Sequence, residues 1–129
     1  FVIKLNSFEE QHNKFNSLTE ISDTFDLIIL DNVATHYRKE YSRDIYGINK
    51  SMEIQLRILK EISRKKPVIL INQVHSNIQT RREDMTFKDS IEKLSDKIFY
   101  LKKDVSKIIE TKSGKEYSYK IEEKGIVIS

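Results

Sequence analysis

The 129-residue sequence predicts an α/β fold, a parallel sheet with flanking helices that gives way to a C-terminal antiparallel meander, and three observations carry the prediction. Two continuous apolar runs, residues 26–31 and 67–74, each end in polar groups, as buried parallel strands do. Between them Met52, Leu56, Leu59 and Ile62 recur at helical spacing, so the connection carries a crossover helix. Near the C-terminus, short alternating segments are broken by Ser113-Gly114 and Lys124-Gly125, the punctuation of hairpins.

Residues 1–5, β-branched and apolar, predict a first strand. Ser7 followed three residues later by Glu10 reads as a capping box, and Phe8, Phe15, Leu18 and Ile21 supply the helix face that packs on the sheet. The run 26–31 reads as a central strand covered on both faces. Residues 33–50, polar and interrupted by Gly47, predict a short helical piece over 35–39 and then a loop. A helix over about 49–65 follows, closed by Arg64, Lys65 and Lys66 near its negative end and stopped by Pro67, which a strand tolerates as its first residue. Residues 75–89 lack an apolar period and predict a long loop. Strands are expected over 98–101, 106–110, 116–121 and 126–128, with Tyr100, Tyr117 and Tyr119 in cross-strand pairs. The expected division is an α/β portion over 1–90 and a β-rich meander over 91–129, within one domain.

Composition narrows the chemistry. No Cys is present, which removes disulfide frameworks, thiolate zinc sites and cysteine nucleophiles, and His12, His36 and His75 lack metal-ligand spacing. The apolar runs are far shorter than the roughly 20 residues of a membrane span, so the expectation is a cytoplasmic protein without a membrane partner. Lys and Arg exceed Asp and Glu by only three (23 against 20), too little for charge alone to establish a nucleic-acid partner. The chain opens on Phe1 in an extended run, which leads us to expect a fragment that starts mid-fold.

The candidate chemistry lies at the carboxyl ends of the two apolar strands, the edge where open α/β sheets bind ligands. Asp31 and Asn32 end one strand; Asn72 and Gln73 end the other. A carboxylate that closes a rigid strand can hold the hydration shell of a nucleotide-bound Mg²⁺, and its alternative role is to cap the next helix. A neutral amide at Gln73 can sense a terminal phosphate, or else pair with neighbouring loop backbone. Tyr41 and Tyr46 could stack on bases, whereas Tyr37 is expected to be packing.

Taken in order, residues 26–43, the helix from Gln55 and the strand 67–74 resemble the Walker B strand, first loop, helix and Asn-Gln-Val strand of the archaeal RadB and RadA recombinases, RecA-type ATPases. Residues 7–11 resemble the helix start upstream of that strand, and the meander resembles the family's C-terminal strands. The resemblance implies the C-terminal part of a RecA-like P-loop NTPase core in a DNA repair and recombination protein that binds ATP and DNA. It implies Asp31 as the Mg²⁺ residue, Asp31, Asn32 and Gln73 as cofactor-binding residues, and Gln73 as the γ-phosphate sensor with a catalytic role. It implies two loops facing single-stranded DNA, residues 40–50 with Arg43 and residues 75–89 with Arg81 and Arg82; a solvated loop is the competing role for these arginines. A recombinase partner or self-association is also implied.

Departures from the family pattern are specific. Asn32 stands where Ser usually follows the Walker B Asp, and the second loop lacks its common glycines. No G-x-x-x-x-G-K-[ST] occurs in the 129 residues, so the chain alone is expected to be inactive, with ATP and Mg²⁺ bound by a protein that also carries a P-loop. That parent is expected to be a weak or DNA-dependent ATPase. The alternative is a RecA-fold module that has lost nucleotide chemistry and serves as a protein- or DNA-interaction domain.

Overall fold

The computed structural model describes residues 2–40, 44–77 and 82–129. The chain falls into two compact units, Phe1–Leu94 and Ser95–Ser129.

The first unit begins without the expected strand: residues 2–6 are irregular, and no described strand pairs with them. Leu5 instead packs against the core, and its carbonyl lies 2.9 Å from His36 Nε2, so that nitrogen carries the donated hydrogen. Helix α1 (Phe8–Ile21) starts at Ser7, whose Oγ accepts from the Glu10 amide at 3.0 Å. Glu10 returns its carboxylate to the Asn6 amide at 2.8 Å, one residue earlier than a reciprocal box would place it. Strand β1 (Ile28–Asp31) follows, then α2 (Thr35–Glu40) and α3 (Ile45–Ser63).

The α3 helix starts four residues before the predicted 49, and the reason is Gly47. Asp44 caps the helix by accepting from the Gly47 amide at 3.0 Å, and a Cβ on Gly47 would sit 2.2 Å from Asp44 Oδ2. The glycine is therefore the third residue of the helix, where the cap needs open space, and not a loop interruption. Met52, Leu56, Leu59 and Ile62 are buried as their spacing predicts.

Strand β2 (Val68–Ile71) pairs with β1 in parallel, with Ile28 opposite Val68 and Asp31 opposite Ile71. Side chains alternate across a sheet. Ile28, Leu30, Val68 and Leu70 face Phe15, Leu18, Leu59 and Ile62 of α1 and α3. The other face, expected to be covered, is open: Ile29 is 56% exposed, Ile69 47% and Ile71 43%. No described element packs on it, so a doubly apolar strand here has one bare side. A second cluster joins Phe8, Val33, Ala34, Tyr37, Met52, Leu56 and Ile91.

Residues 75–89, predicted as a loop, instead contain a hairpin and a helix. Strands β3 (Val74–Asn77) and β4 (Arg82–Met85) pair antiparallel, Val74 opposite Met85, and α4 (Lys88–Leu94) follows. A polar ribbon paired by its backbone needs no apolar alternation, which is why periodicity misses it. The helix α4 is short and anchored by a single buried residue, Ile91.

The second unit is a four-stranded antiparallel meander, β5 (Phe99–Lys102), β6 (Lys107–Glu110), β7 (Lys115–Glu122) and β8 (Gly125–Ile128), in sequence order. Gly114 takes φ +71°, the left-handed conformation its hairpin requires. The three tyrosines pair across strands as predicted, each opposite an isoleucine: Tyr100 with Ile109, Tyr117 with Ile108 and Tyr119 with Ile128.

Candidate functional site

The parallel register brings the carboxyl ends of β1 and β2 to one rim of the sheet. Asp31 closes β1 on the bare face that also carries Ile29, and its side chain is exposed. Asn32, half-buried, accepts from the Ala34 amide through Oδ1 at 3.0 Å, while its Nδ2 is buried without a hydrogen-bond partner. Across the rim, Asn72 Nδ2 donates to the Thr86 carbonyl at 3.0 Å and leaves Oδ1 buried and unpaired. A buried donor and a buried acceptor thus stand unsatisfied at the ends of neighbouring strands, which costs free energy unless a ligand or water meets them.

Gln73 follows Asn72 and is exposed; its Oε1 accepts from Arg38 Nη2 of α2 at 3.4 Å. Composition and spacing gave no reason to single out Arg38. The contact needs the parallel pairing of β1 with β2, which brings together residues 35 positions apart. Arg38 also lines an open cleft of about 290 Å³ with Tyr37, His75 and Thr86. Tyr37 is a packing residue, as expected: it is buried, its ring meets Phe8 and Phe87 edge-on at 6.2 and 4.7 Å, and its hydroxyl donates to Asn49 Oδ1 at 2.7 Å.

A larger cleft of about 730 Å³ runs beside β1. Apolar side chains of the N-terminal segment, α1 and β1 line it, and its polar lining mixes the cations Lys4 and Lys14 with Gln11, Asp31, Asn32 and His36.

Beneath the rim lies a polar chain that sequence reasoning did not isolate. Gln11 of α1 and Gln55 of α3 are buried, at 2% and 0% exposure. Gln11 Nε2 donates to Gln55 Oε1 at 2.8 Å and to the Val33 carbonyl at 3.2 Å. The available signal was a glutamine inside each apolar helical stripe.

The residues expected to meet DNA are placed less fully. Arg43, Arg81 and Tyr41 lie outside the described residues. Arg82 opens β4, its backbone opposite Asn77. The expected first loop, residues 40–50, is corrected in its second half: from Ile45 it is α3, because Asp44 caps a helix there, and Tyr46 stands 83% exposed on that helix.

Among the described residues no group of three or more His, Asp or Glu side chains could hold a metal ion, and no helix is long and apolar enough to cross a membrane. A single rim carboxylate still fits Mg²⁺ when a nucleotide and water supply the remaining oxygens, since Mg²⁺ keeps much of its hydration shell and takes only one or two carboxylates.

No protein-family model matches the chain. The DNA repair and recombination protein RadB of Thermococcus kodakarensis is 40% identical to it over 57% of the chain. RadB of Pyrococcus abyssi is 43% identical over 50% of the chain, and RadB of Methanococcoides burtonii 28% identical over 79%. Over the matched residues the chain is similar to these archaeal RadB proteins. It spans only part of those relatives, 34%, 28% and 48% of their respective lengths. The chain has the α/β organisation read from its sequence, a parallel strand pair with helices and a separate antiparallel sheet.

Proposed function

We propose that this RadB-like chain is the Walker B part of a RecA-like P-loop ATPase core that acts in DNA repair and recombination, binding ATP with Mg²⁺ and single-stranded DNA. The observation that carries the nucleotide reading is the in-register parallel pairing of β1 with β2, with Asp31 ending one strand and Asn72 and Gln73 following the other. The similarity to archaeal RadB proteins supports the repair and recombination role.

In this reading Asp31, at the end of a paired strand, would hold the water around the ion. When bound there, Mg²⁺ would supply positive charge to offset that of the phosphates. Asn32 Nδ2, buried without a partner, is a donor for a phosphate or water oxygen. Gln73 already has its Oε1 engaged by Arg38, so its NH₂ is the end that can donate to a terminal phosphate. Displacement of Gln73 would be felt at once by Val74, the first residue of the β3–β4 hairpin, which links the rim to the segment carrying Arg81 and Arg82. Those arginines and Arg43 would supply salt-dependent contacts to the nucleic-acid backbone. The phosphate cradle must come from a P-loop outside these 129 residues, because none of Gly47, Gly114 and Gly125 lies in such a motif.

The test is ATP binding and turnover by the P-loop-containing gene product that includes this chain. Asp31→Ala is expected to remove the Mg²⁺-dependent part of ATP affinity, and Gln73→Ala to lower turnover with little change in affinity. If both variants bind and hydrolyse ATP as the parent does, the nucleotide assignment is wrong. A gene product without a P-loop would favour the interaction-module reading.

A further inference from the structure

We propose that Gln11 and Gln55 are positioning residues for the nucleotide rim: through the Val33 peptide they fix the direction in which Asp31 and Asn32 present their side chains. The inference rests on the nucleotide reading above and adds to it two residues remote from the rim in sequence.

Two primary amides at 2% and 0% exposure need a reason. Each sits on a helix face otherwise filled by Phe8, Phe15, Met52 and Leu56, where an apolar side chain of similar length would fill the space without removing a polar group from water. What the amides add is direction. The Val33 carbonyl can only accept, so Gln11 must turn its NH₂ toward it, and that NH₂ spends both hydrogens, one on Val33 at 3.2 Å and one on Gln55 Oε1 at 2.8 Å. Gln55 is thereby turned so that its own NH₂ faces Ser51 Oγ at 3.4 Å. Ser51 Oγ in turn lies 2.7 Å from His12 Nδ1. Gln11 is the branch point: its NH₂ donates to the backbone just past Asn32 and, the other way, to Gln55 of α3, which donates on to Ser51.

Val33 is held from its other side as well. Its amide donates to the Ile71 carbonyl at the end of β2, at 3.2 Å. Asn32 Oδ1 accepts from the Ala34 amide, so the turn after Asp31 is tied to β2, to α1 and to itself. Loss of the Gln11 bond frees one of these three ties and lets the Val33–Ala34 peptide rotate, which loosens the Ala34 amide that holds Asn32 Oδ1 and with it the turn that follows Asp31.

The discriminating variant is Gln11→Met combined with Gln55→Met, which keeps the volume and removes the direction. ATP affinity of the gene product is measured with Mg²⁺ and again with excess EDTA, together with the melting temperature. The expected result is an intact fold, unchanged affinity in EDTA, and a loss of about tenfold in the Mg²⁺-dependent gain, the size typical of losing a group that orients a metal ligand. Asp31→Asn is run beside it. If Asp31→Asn loses the gain and the double Met variant keeps it in full, the positioning role is refuted while the nucleotide reading stands. If Asp31→Asn also keeps it, the nucleotide reading falls and this inference with it. Should the double variant fail to fold, Ser51→Ala, which removes the half-buried hydroxyl that meets Gln55 and His12 and leaves both glutamines in place, is expected to lower the gain by a smaller factor, and an unchanged gain there overturns the proposal.

Discussion

Replacing Gly47 by Ala tests the capped start of α3 through the sign of its effect. In an exposed helix, Gly→Ala stabilises by about 0.8 to 1 kcal/mol. At position 47 the new Cβ would stand 2.2 Å from Asp44 Oδ2 and 3.0 Å from Asp44 Cγ. Both atoms belong to a short side chain that can turn away, so the cost is the loss of the 3.0 Å bond to the residue 47 amide, a cap worth roughly 1 kcal/mol. The two effects offset each other, and Gly47→Ala alone should leave stability nearly unchanged. Asp44→Ala alone should cost about 1 kcal/mol. In the Asp44→Ala background the collision is gone, and Gly47→Ala should then stabilise by close to its full 0.8 to 1 kcal/mol. Urea denaturation followed by circular dichroism, completed as a double-mutant cycle, measures the coupling, expected near 1 kcal/mol. A Gly47→Ala variant that is stabilised equally in both backgrounds would show that Asp44 does not cap this helix and that the argument from the close approach fails.

Other consequences follow from packing and charge. Phe15, 2% exposed between α1, α3 and β1, should cost about 3 to 5 kcal/mol on truncation to Ala; a loss under about 1 kcal/mol in chemical denaturation would mean that the sheet does not rest on this ring. In the meander, Lys107 Nζ lies 2.6 Å from Glu116, and that hydrogen bond and the ammonium charge, with a smaller contribution from Lys102, hold the Glu116 carboxyl below its ordinary value. A lowered folded pKa makes the interaction stabilising above the unfolded carboxylate range and removes it as pH falls through the folded value. Glu116→Gln should therefore melt slightly lower than the parent at neutral pH in low salt and equally at strongly acidic pH; a difference that persists in acid would assign the effect to something other than the ion pair.

Much of the architecture was legible from local pattern. The Ser7–Glu10 cap, the helical stripe of Met52, Leu56, Leu59 and Ile62, the two apolar strands and the Ser113-Gly114 hairpin are signals carried within a few residues, and each appears in the structure. The misreadings share a cause. The strand expected over 1–5 has strand-like residues, but its described part, residues 2–5, has no described strand beside it, and pairing is a property of two segments. The β3–β4 hairpin has a partner but no apolar alternation to announce it. Gly47 looked like a break because the residue that needs its missing Cβ, Asp44, reveals itself only through geometry.

For the candidate site the division is similar. Apolar runs ending in Asp31-Asn32 and Asn72-Gln73 are written in the chain order, as is the similarity to RadB, because strand character and terminal polarity need no knowledge of neighbours. That these ends share a rim, that Arg38 meets Gln73, that Asn32 and Asn72 each bury an unpaired atom, and that Gln11 and Gln55 join below Val33 were decided by folding alone. Each of these depends on side chains from distant segments meeting at hydrogen-bond range, and a directional contact of about 3 Å is set by how helices and strands pack, not by the spacing of residues along one of them.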